Sequence, residues 1–231
     1  MIDYVFTNHP VEEATDNIVK VLKLHLEKGD RVLWLLSGGS GINVAIRASK
    51  KLEGIDLTNL FVGLTDERYG LVGHKDENWQ QLLDNSLSLP GANLYRTLTG
   101  QDIDQTTTAF DNWLKSQLEK SDYKIGIFGF GADGHTAGIK PDSSAVSAPN
   151  LAASFIGDDF ERITVTFKTI KQLDEVVIQA SGINKLPIIR DLMNSNIPLN
   201  KQPVQILKLV PHATLYTNNK KEIKWKLQLL D

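Results

Sequence analysis

The sequence predicts an α/β fold, with a Rossmann-like, mainly parallel sheet and helices on both of its faces. Short runs of consecutive apolar residues alternate with longer segments whose apolar residues recur at helical spacing. The short runs contain many β-branched residues, as do strands that are buried on both faces of a parallel sheet. Most of these runs end in glycine, serine or charged residues, which is typical of the connections between strands and helices in such folds.

Five segments have the periodicity of amphipathic helices. The first ends before Gly29, a residue suited to the left-handed conformation at a helix C-terminus. The fourth carries Phe110, Trp113, Leu114 and Leu118 on one side. The predicted helices cover residues 10–28, 43–52, 77–87, 104–119 and 185–193.

Four continuous apolar runs predict buried strands, over residues 31–36, 60–64, 124–128 and 175–180. The weaker signals are a short strand over 93–95, an irregular or weakly stranded segment over 148–161, and an alternating segment over 162–167. Alternation of apolar and polar residues predicts that this last segment is a half-exposed strand. Residues 203–209 and 214–217 close the chain.

Length and composition favour one globular unit. The 231 residues can bury a sizeable core, and no repeat or linker divides them, so we expect a single domain over residues 1–231. The net charge of −3 gives no electrostatic reason to expect nucleic acid or a membrane as partner. No signal-peptide pattern and no apolar run near the ~20 residues of a membrane span is found, which predicts a cytoplasmic protein. The lack of cysteine excludes disulfides and a cysteine nucleophile.

Residues 124–141 hold the clearest candidate for an active-site loop. A short strand breaks there into a glycine-rich loop that carries Asp133 and His135. Pro141 limits any long helix after it. Open α/β folds bind ligands beyond the carboxyl ends of their strands. We therefore interpret this stretch as the active-site loop, with His135 as its reactive group.

Polar residues also follow other predicted strands, and parallel strands bring their carboxyl ends to one rim. Two glycine-rich turns, with arginine and lysine nearby, suit a phosphate group. Backbone amides and a helix dipole favour diffuse negative charge, arginine forms bidentate pairs, and lysine acts as a point charge. The candidate phosphate-binding residues are Ser37, Gly38, Gly39, Ser40, Arg68, Arg162 and Lys185.

His135 is the one histidine of the five placed for acid–base chemistry, and Asp66 and Asp133 are the carboxylates that could orient it or act beside it. No glycine-x-serine-x-glycine elbow follows a strand, and no spacing of histidines or carboxylates suggests a metal site.

The glycines of the central loop formally fit a dinucleotide fingerprint. That loop lies mid-chain, however, and no acidic residue ends the next strand about twenty positions on, so we do not expect a nicotinamide cofactor.

Several of these blocks resemble those of a known enzyme family, the glucosamine-6-phosphate isomerase/6-phosphogluconolactonase family, and within it the lactonases. The similar blocks follow the family's order along nearly the whole chain, at residues 37–40, 66–68, 129–137, 162–167 and 180–185. The Asp-Gly-His-Thr-Ala sequence of residues 133–137 is specific, whereas Ser-Gly-Gly-Ser alone is not.

The resemblance implies hydrolysis of 6-phospho-D-glucono-1,5-lactone to 6-phospho-D-gluconate, a step of the oxidative pentose phosphate pathway. It implies that His135 activates water, and that neither metal nor cofactor is needed. The implied partner is a small phosphorylated sugar lactone, bound by a monomer or weak homo-oligomer.

Two other functions remain open. The first is an aldose–ketose isomerase or deaminase of an amino-sugar phosphate such as glucosamine 6-phosphate. Family members of that kind usually carry a glutamate five residues after the histidine and a tyrosine after Asp-Glu. Lys140 and Arg68 occupy these positions here, which favours the lactonase. The second is a non-catalytic sugar-phosphate sensor, but only one predicted helix precedes the first core strand, and no basic helix-turn-helix is present.

The chain departs from the usual lactonase pattern at three places. Gly41-Ile42 stands where Thr-Pro is common, Lys140 where an aromatic or apolar residue is usual, and Glu77 where serine often precedes the asparagine. The sequence leaves open whether Lys140 compensates for the altered phosphate loop, and whether residues 69–76 act as a lid.

Overall fold

The computed structural model describes residues 1–219. The expected domain over 1–231 extends further, and its residues 220–231 lie outside the described part of the chain. The strands are β1 (Ile2–Phe6), β2 (Val32–Leu36), β3 (Leu60–Leu64), β4 (Asp66–Arg68), β5 (Asn93–Leu94), β6 (Tyr123–Phe128), β7 (Ala152–Ile156), β8 (Glu161–Val165), β9 (Glu175–Gln179) and β10 (His212–Thr217). The helices are α1 (Pro10–Glu27), α2 (Gly41–Lys51), α3 (Asn78–Asp84), α4 (Ile103–Lys120), α5 (Phe167–Ile170) and α6 (Leu186–Asn194).

Within residues 1–219 the main sheet has seven strands in the order β1-β10-β9-β6-β2-β3-β5, and every neighbouring pair is parallel. Helices cover both of its faces, as predicted. Val32, Trp34 and Leu36 of β2 lie in the core formed with α1, α2 and α3, whereas Leu33 and Leu35 lie in the core formed with α4 and α6. Because both faces of β2 are buried, its sequence is a continuous apolar run and does not alternate.

The strand order reverses beside β2. From β2 the chain proceeds outward to β3 and β5, whereas from β6, on the other side of β2, it proceeds in the opposite direction to β9 and β10. The crevice at the carboxyl ends of β2 and β6 is therefore a topological switch point, the place where open α/β sheets bind ligands. The loops that follow these two strands contain residues 37–40 and 129–135.

A second sheet of three antiparallel strands, in the order β4-β8-β7, adds to this edge. The segment over 148–161, expected to be irregular or weakly stranded, contains β7. The expectation that the next strand is half exposed was wrong, because every residue of β8 after Glu161 is buried. Its polar residues Arg162 and Thr164 are buried and have protein partners, since Arg162 contacts Asp66 and Thr164 Oγ1 accepts a hydrogen bond from the amide of Gly138 at 2.9 Å.

Two further differences from the sequence expectations concern strand ends. Residues 66–68, expected only as the polar end of the strand over 60–64, form the separate strand β4. Residues 2–6, for which no strand was predicted, form the edge strand β1 beside β10. An edge strand is buried on fewer sides, so its sequence carries a weaker apolar signal. None of the helices in the described chain combines the length and apolar character that crossing a bilayer requires.

Glu77 anchors the loop of residues 69–76. Its side chain has no exposed area, and its two oxygens accept hydrogen bonds from Nε and Nη2 of Arg96, both at 2.7 Å. Oε2 also accepts a hydrogen bond from the amide of Gly73 at 2.5 Å. The unusual glutamate therefore has a structural role, because it ties this loop to the start of α3.

We expect Arg96→Ala to lower the free energy of unfolding by about 2–4 kcal/mol, because it leaves the buried Glu77 carboxylate without its cation. The measurement is urea unfolding followed by circular dichroism. Lys51→Ala is the control, since Lys51 pairs with Asp16 at the exposed surface and such pairs contribute at most about 1 kcal/mol. Equal destabilisation by the two variants would contradict the assignment.

Candidate active site

A cavity of about 380 Å³ opens at the switch point. All the site residues predicted from the sequence line it, with the exception of Asp133, and they are Ser37, Gly38, Gly39, Ser40, Asp66, Arg68, His135, Arg162 and Lys185. These residues come from the loops after β2, β6 and β9, from β4, which directly follows β3, and from β8. Strands β9, β6, β2 and β3 are adjacent in the main sheet. The expected convergence of strand ends is therefore observed. The lining residues that the sequence analysis did not select are Asn78, Gly129, Phe130, Gly131, Ala137 and Asp159.

The pairing of β4 with β8 places two arginines side by side. Arg68 and Arg162 are directly opposite each other in the antiparallel register, so both side chains lie on the same face of the small sheet. The ring of Phe160 lies 5.2 Å from the Arg68 guanidinium and 5.7 Å from that of Arg162. Like charges in directly opposed positions are unfavourable unless an anion is near.

The contacts of these arginines leave donors available. Arg68 Nη1 donates to the carbonyl of Asp76 at 2.8 Å, and Arg162 Nη2 donates to Asp159 Oδ2 at 2.7 Å. Arg162 Nη1 lies 3.6 Å from Asp66 Oδ2. In both arginines the buried Nε has no hydrogen-bond partner within residues 1–219. A pair of guanidinium groups with unused donors at a cavity is suited to a phosphate or carboxylate.

The serine- and glycine-rich turn after β2 ends at the N-terminus of α2. Gly39 has a φ of 57°, a left-handed conformation that favours glycine. A Cβ atom on Gly41 would lie 2.2 Å from Ser37 Oγ, so a larger residue at position 41 would require the Ser37 hydroxyl to move. The first residues of a helix offer free backbone amides and the positive end of its dipole, and both favour an anion.

Lys185 joins two of the loops. Its Nζ donates to the carbonyl oxygen of Phe130 at 2.7 Å, which links the loop after β9 to the loop after β6. Burial lowers the pKa of Lys185, while the negative charge of Asp133 acts in the opposite direction. The ammonium group lies at the cavity with donors left for a ligand.

His135 is oriented by Asp133. Its Nδ1 lies 2.7 Å from Asp133 Oδ1, which also accepts a hydrogen bond from the His135 amide at 3.2 Å. An N–H at Nδ1 leaves Nε2 as the nitrogen with a free lone pair. A Cβ atom on Gly131 would lie 2.2 Å from Asp133 Oδ1 and 2.3 Å from His135 Nδ1, so the pair requires glycine there.

The two predicted catalytic carboxylates have different surroundings. Asp133 contacts His135, whereas Asp66 accepts a hydrogen bond from Thr65 Oγ1 at 3.1 Å and faces Arg162. Of the two candidates for orienting the histidine, the geometry favours Asp133. Asp66 is instead placed to hold Arg162, and its own backbone carbonyl accepts a hydrogen bond from Asn78 Nδ2 at 2.9 Å.

Glu67 points away from the cavity and supports α3. Its carboxylate accepts hydrogen bonds from the amides of Arg68, Asn78 and Trp79 at 2.6–3.0 Å. Burial raises the pKa of Glu67 to about 8, against these three hydrogen bonds, which lower it. These contacts give Glu67 a structural role.

Within residues 1–219, no three histidine or acidic side chains come together in a way that could hold a metal ion.

Residues 7–217 match the sequence profile of the family described as glucosamine-6-phosphate isomerases/6-phosphogluconolactonase. The chain belongs to this family. The match spans nearly the whole chain, which confirms the membership inferred from the sequence blocks.

Relatives of this family member include the 6-phosphogluconolactonase of Helicobacter pylori, which is 24% identical over 200 residues that cover 84% of this chain and 86% of the relative. The 6-phosphogluconolactonase of Aggregatibacter actinomycetemcomitans is 26% identical over 216 residues, which cover 90% of each chain.

Solved structures of the family show the same fold. The 6-phosphogluconolactonase of Thermotoga maritima superposes with a TM-score of 0.81 at 19% identity, over 94% of this chain and 99% of that one. A monomeric glucosamine-6-phosphate deaminase superposes with a TM-score of 0.72 at 18% identity, over 94% and 96%. Because proteins named for two different reactions share the fold, the fold does not distinguish between these reactions.

The hydrogen bond from His135, opposed by partial burial, lowers the pKa of Asp133 to about 2. We expect His135→Ala to raise this pKa towards the ordinary value of 3.8. Because the folded-state pKa is depressed, the stabilisation from Asp133 is present above pH ~4 and is lost as the pH falls towards 2. Carbon-13 NMR titration of the carboxyl groups measures both values. The carboxyl of Asp142, which is held by Lys201, is the internal control. An Asp133 pKa unchanged by the substitution would contradict the pairing.

Proposed function

We propose that this protein is a 6-phosphogluconolactonase that hydrolyses 6-phospho-D-glucono-1,5-lactone to 6-phospho-D-gluconate in the oxidative pentose phosphate pathway. One observation carries the proposal. A histidine paired with a carboxylate lines the same cavity as two arginines and a lysine. General-base chemistry and binding of an anionic group are thus available side by side. The relatives named 6-phosphogluconolactonases support the same conclusion.

In the proposed reaction, His135 Nε2 accepts a proton from water as the water oxygen attacks the lactone carbonyl carbon. Asp133 holds the ring in the required tautomer and stabilises the imidazolium that forms. The tetrahedral intermediate then collapses, the bond between the carbonyl carbon and the ring oxygen breaks, and the imidazolium returns the proton to that oxygen. A lactone is an activated ester, so water and a general base are sufficient for this chemistry.

The carbonyl oxygen becomes negatively charged in the intermediate. Backbone amides of the loop after β6, or the Arg68 guanidinium, are the donors we assign to it. Such donors contribute roughly 3–4 kcal/mol each in other acyl-transfer sites. The loop amides have the advantage that their positions are fixed by the fold before the substrate arrives.

The substrate phosphate is assigned to the glycine-rich turn after β2 and to the cationic side chains of the cavity. The turn of residues 37–40 with the N-terminus of α2, together with Arg68, Arg162 and Lys185, provides amides, guanidinium groups and an ammonium group. Binding energy from this remote phosphate positions the carbonyl next to His135.

The alternative reaction is that of a glucosamine-6-phosphate deaminase or isomerase, and a deaminase of this kind has a similar fold as well. The position of Lys140 argues against it. Lys140 stands where a catalytic glutamate would be expected from the resemblance, and its Nζ binds Asp159 at 3.1 Å. Release of ammonia from glucosamine 6-phosphate, without lactone hydrolysis, would favour this alternative. A folded protein that binds sugar phosphates without turning them over would favour the sensor.

We expect His135→Ala to lower kcat for lactone hydrolysis by about 10²–10⁴-fold, the usual contribution of a placed general base. The product is measured through a coupled 6-phosphogluconate dehydrogenase, with the spontaneous rate subtracted. His212→Ala, at the exposed start of β10, is the control for the same substitution elsewhere. Full activity of His135→Ala would show that His135 is not the general base. An inactive wild-type protein would overturn the proposed function.

We expect Arg68→Met to lower kcat/KM for the phosphorylated lactone by about 10–100-fold, because a charge-assisted hydrogen bond to phosphate contributes roughly 1.5–3 kcal/mol. Hydrolysis of unphosphorylated glucono-1,5-lactone should change much less. Arg47→Met, which removes the same charge from the exposed side of α2, is the control. Equal loss with both lactones would mean that Arg68 acts on the carbonyl and not on the phosphate.

A further inference from the structure

The carboxylate of Asp159 is hydrogen-bonded to Arg162, one of the arginines that we assign to the substrate phosphate. Asp159 lies in the turn between β7 and β8 and lines the cavity. Its Oδ2 accepts a hydrogen bond from Arg162 Nη2 at 2.7 Å. Its Oδ1 accepts hydrogen bonds from Lys140 Nζ at 3.1 Å and from the Phe160 amide at 3.0 Å. Asp159 therefore bridges two cations.

The two cations lie on different sides of Asp159. Arg162 lines the cavity, and only 8% of its side chain is exposed. Lys140 lines a neighbouring groove together with Ser143, Phe155 and Asp158. The carboxylate thus stands at the border between the proposed phosphate site and a second depression outside it.

Bound in this way, Asp159 cancels the charge of Arg162. Burial opposes ionisation of Asp159, but the hydrogen bonds from Arg162 and Lys140 outweigh it and hold its pKa well below the ordinary value. With Asp66 at 3.6 Å on its other side, the guanidinium already faces two carboxylates. A phosphate dianion that approaches Arg162 would be repelled by both.

The two carboxylates differ in their freedom to move. Asp66 belongs to β4, and its side chain is 9% exposed, so it is held in place. The side chain of Asp159 is 44% exposed and belongs to a turn. Only Asp159 can leave Arg162 without disturbing a strand.

We propose that Asp159 is an internal substitute for the substrate phosphate, which occupies Arg162 in the free protein, yields to the phosphate and stays bound to Lys140. The inference rests on the proposed function insofar as it takes phosphate as the ligand of this cavity. It gives the unusual Lys140 a role, because the lysine provides a place for the displaced carboxylate. It also makes Asp159 a specificity-determining residue, since a lactone without a phosphate has no anion to displace it.

The test is Asp159→Asn, which removes the charge and retains an oxygen for the Phe160 amide. We expect the affinity for inorganic phosphate, measured by isothermal titration calorimetry, to rise about 3–10-fold. The KM for 6-phosphogluconolactone should fall in parallel, with a smaller effect on kcat. Asp159→Glu, which keeps the anion, should stay near the wild-type affinity. Asp159→Ser provides a second neutral side chain, in case the asparagine variant does not fold.

The matched control is Asp158→Asn. It removes the same charge from the adjacent residue, whose side chain is fully exposed and whose nearest carboxylate oxygen is 4.0 Å from Lys140. We expect it to change phosphate affinity by less than about twofold, because a charge in water is strongly screened. A rise as large as that of Asp159→Asn would indicate a general effect of net charge and overturn the inference.

A double-mutant cycle tests the role of Lys140. If the lysine retains the displaced carboxylate, Lys140→Met should weaken phosphate binding about 3–10-fold in the wild-type background. In the Asp159→Asn background the same substitution should have less than about a twofold effect. An equal effect in both backgrounds would show that Lys140 attracts phosphate directly, contrary to the inference.

The outcomes separate this inference from the proposed function. Weaker or unchanged phosphate binding by Asp159→Asn, in a protein whose wild type hydrolyses the lactone, would overturn the inference alone and make Asp159 a residue that positions Arg162. A wild type that does not hydrolyse the lactone would overturn the proposed function. If the wild type is inactive, a higher phosphate affinity of Asp159→Asn would still support the displacement of Asp159 by phosphate. An unchanged affinity would overturn this inference together with the proposed function.

Discussion

The antiparallel pairing of β4 with β8 is the constraint on which the charge distribution of this site depends. It places Arg68 opposite Arg162 and Asp66 opposite Thr164, so that one face of the small sheet is polar and turned towards the cavity. The intervening residue, Glu67, points to the other face. There its carboxylate accepts hydrogen bonds from the amides at the start of α3, which ties β4 to that helix. A slip of one residue in this register would exchange the two faces. Arg68 and Asp66 would then turn away from the cavity, and Glu67 would lose its contacts with α3.

Such an arrangement concentrates buried polar groups, and each group needs a partner. Glu67 finds backbone amides, and Glu77 finds Arg96, so these two carboxylates serve the structure. The Nε atoms of Arg68 and Arg162 have no partner in the described chain, although they are buried. These two arginines are residues that we assign to the substrate phosphate, so their unused donors are consistent with local stability being sacrificed for binding.

The sequence predicted the parts of the site that depend on strand ends, because apolar runs locate strands and parallel strands share a rim. It could not assign the partner of each carboxylate. Asp133 is two residues from His135, so their contact is local. The contact between Asp66 and Arg162 depends on a sheet pairing across about a hundred residues that no periodicity reveals. Asp159 was missed for a related reason: it lies in a turn of a segment with weak strand signal, and its role arises only from the cations beside it. The same pairing explains why β8 is buried and not half exposed as expected. Alternation with period two indicates that a strand has an apolar face and a polar face, but it does not show whether the polar face is exposed to water.

The three departures from the lactonase pattern are each matched by a contact in the structure. Gly41 leaves room for Ser37 Oγ, which lies 2.2 Å from the place that a Cβ atom on residue 41 would take. Glu77 replaces a small polar residue and holds the loop of residues 69–76 through Arg96 and Gly73. This loop is therefore tied down in the described structure, which is unfavourable for a freely moving lid. Lys140 binds the turn that carries Asp159. None of the three positions lies in a strand of the main sheet: Gly41-Ile42 begins α2, and Glu77 and Lys140 lie in connections. The sheet fixes where the loops meet, and the loops can then differ in how they hold an anion.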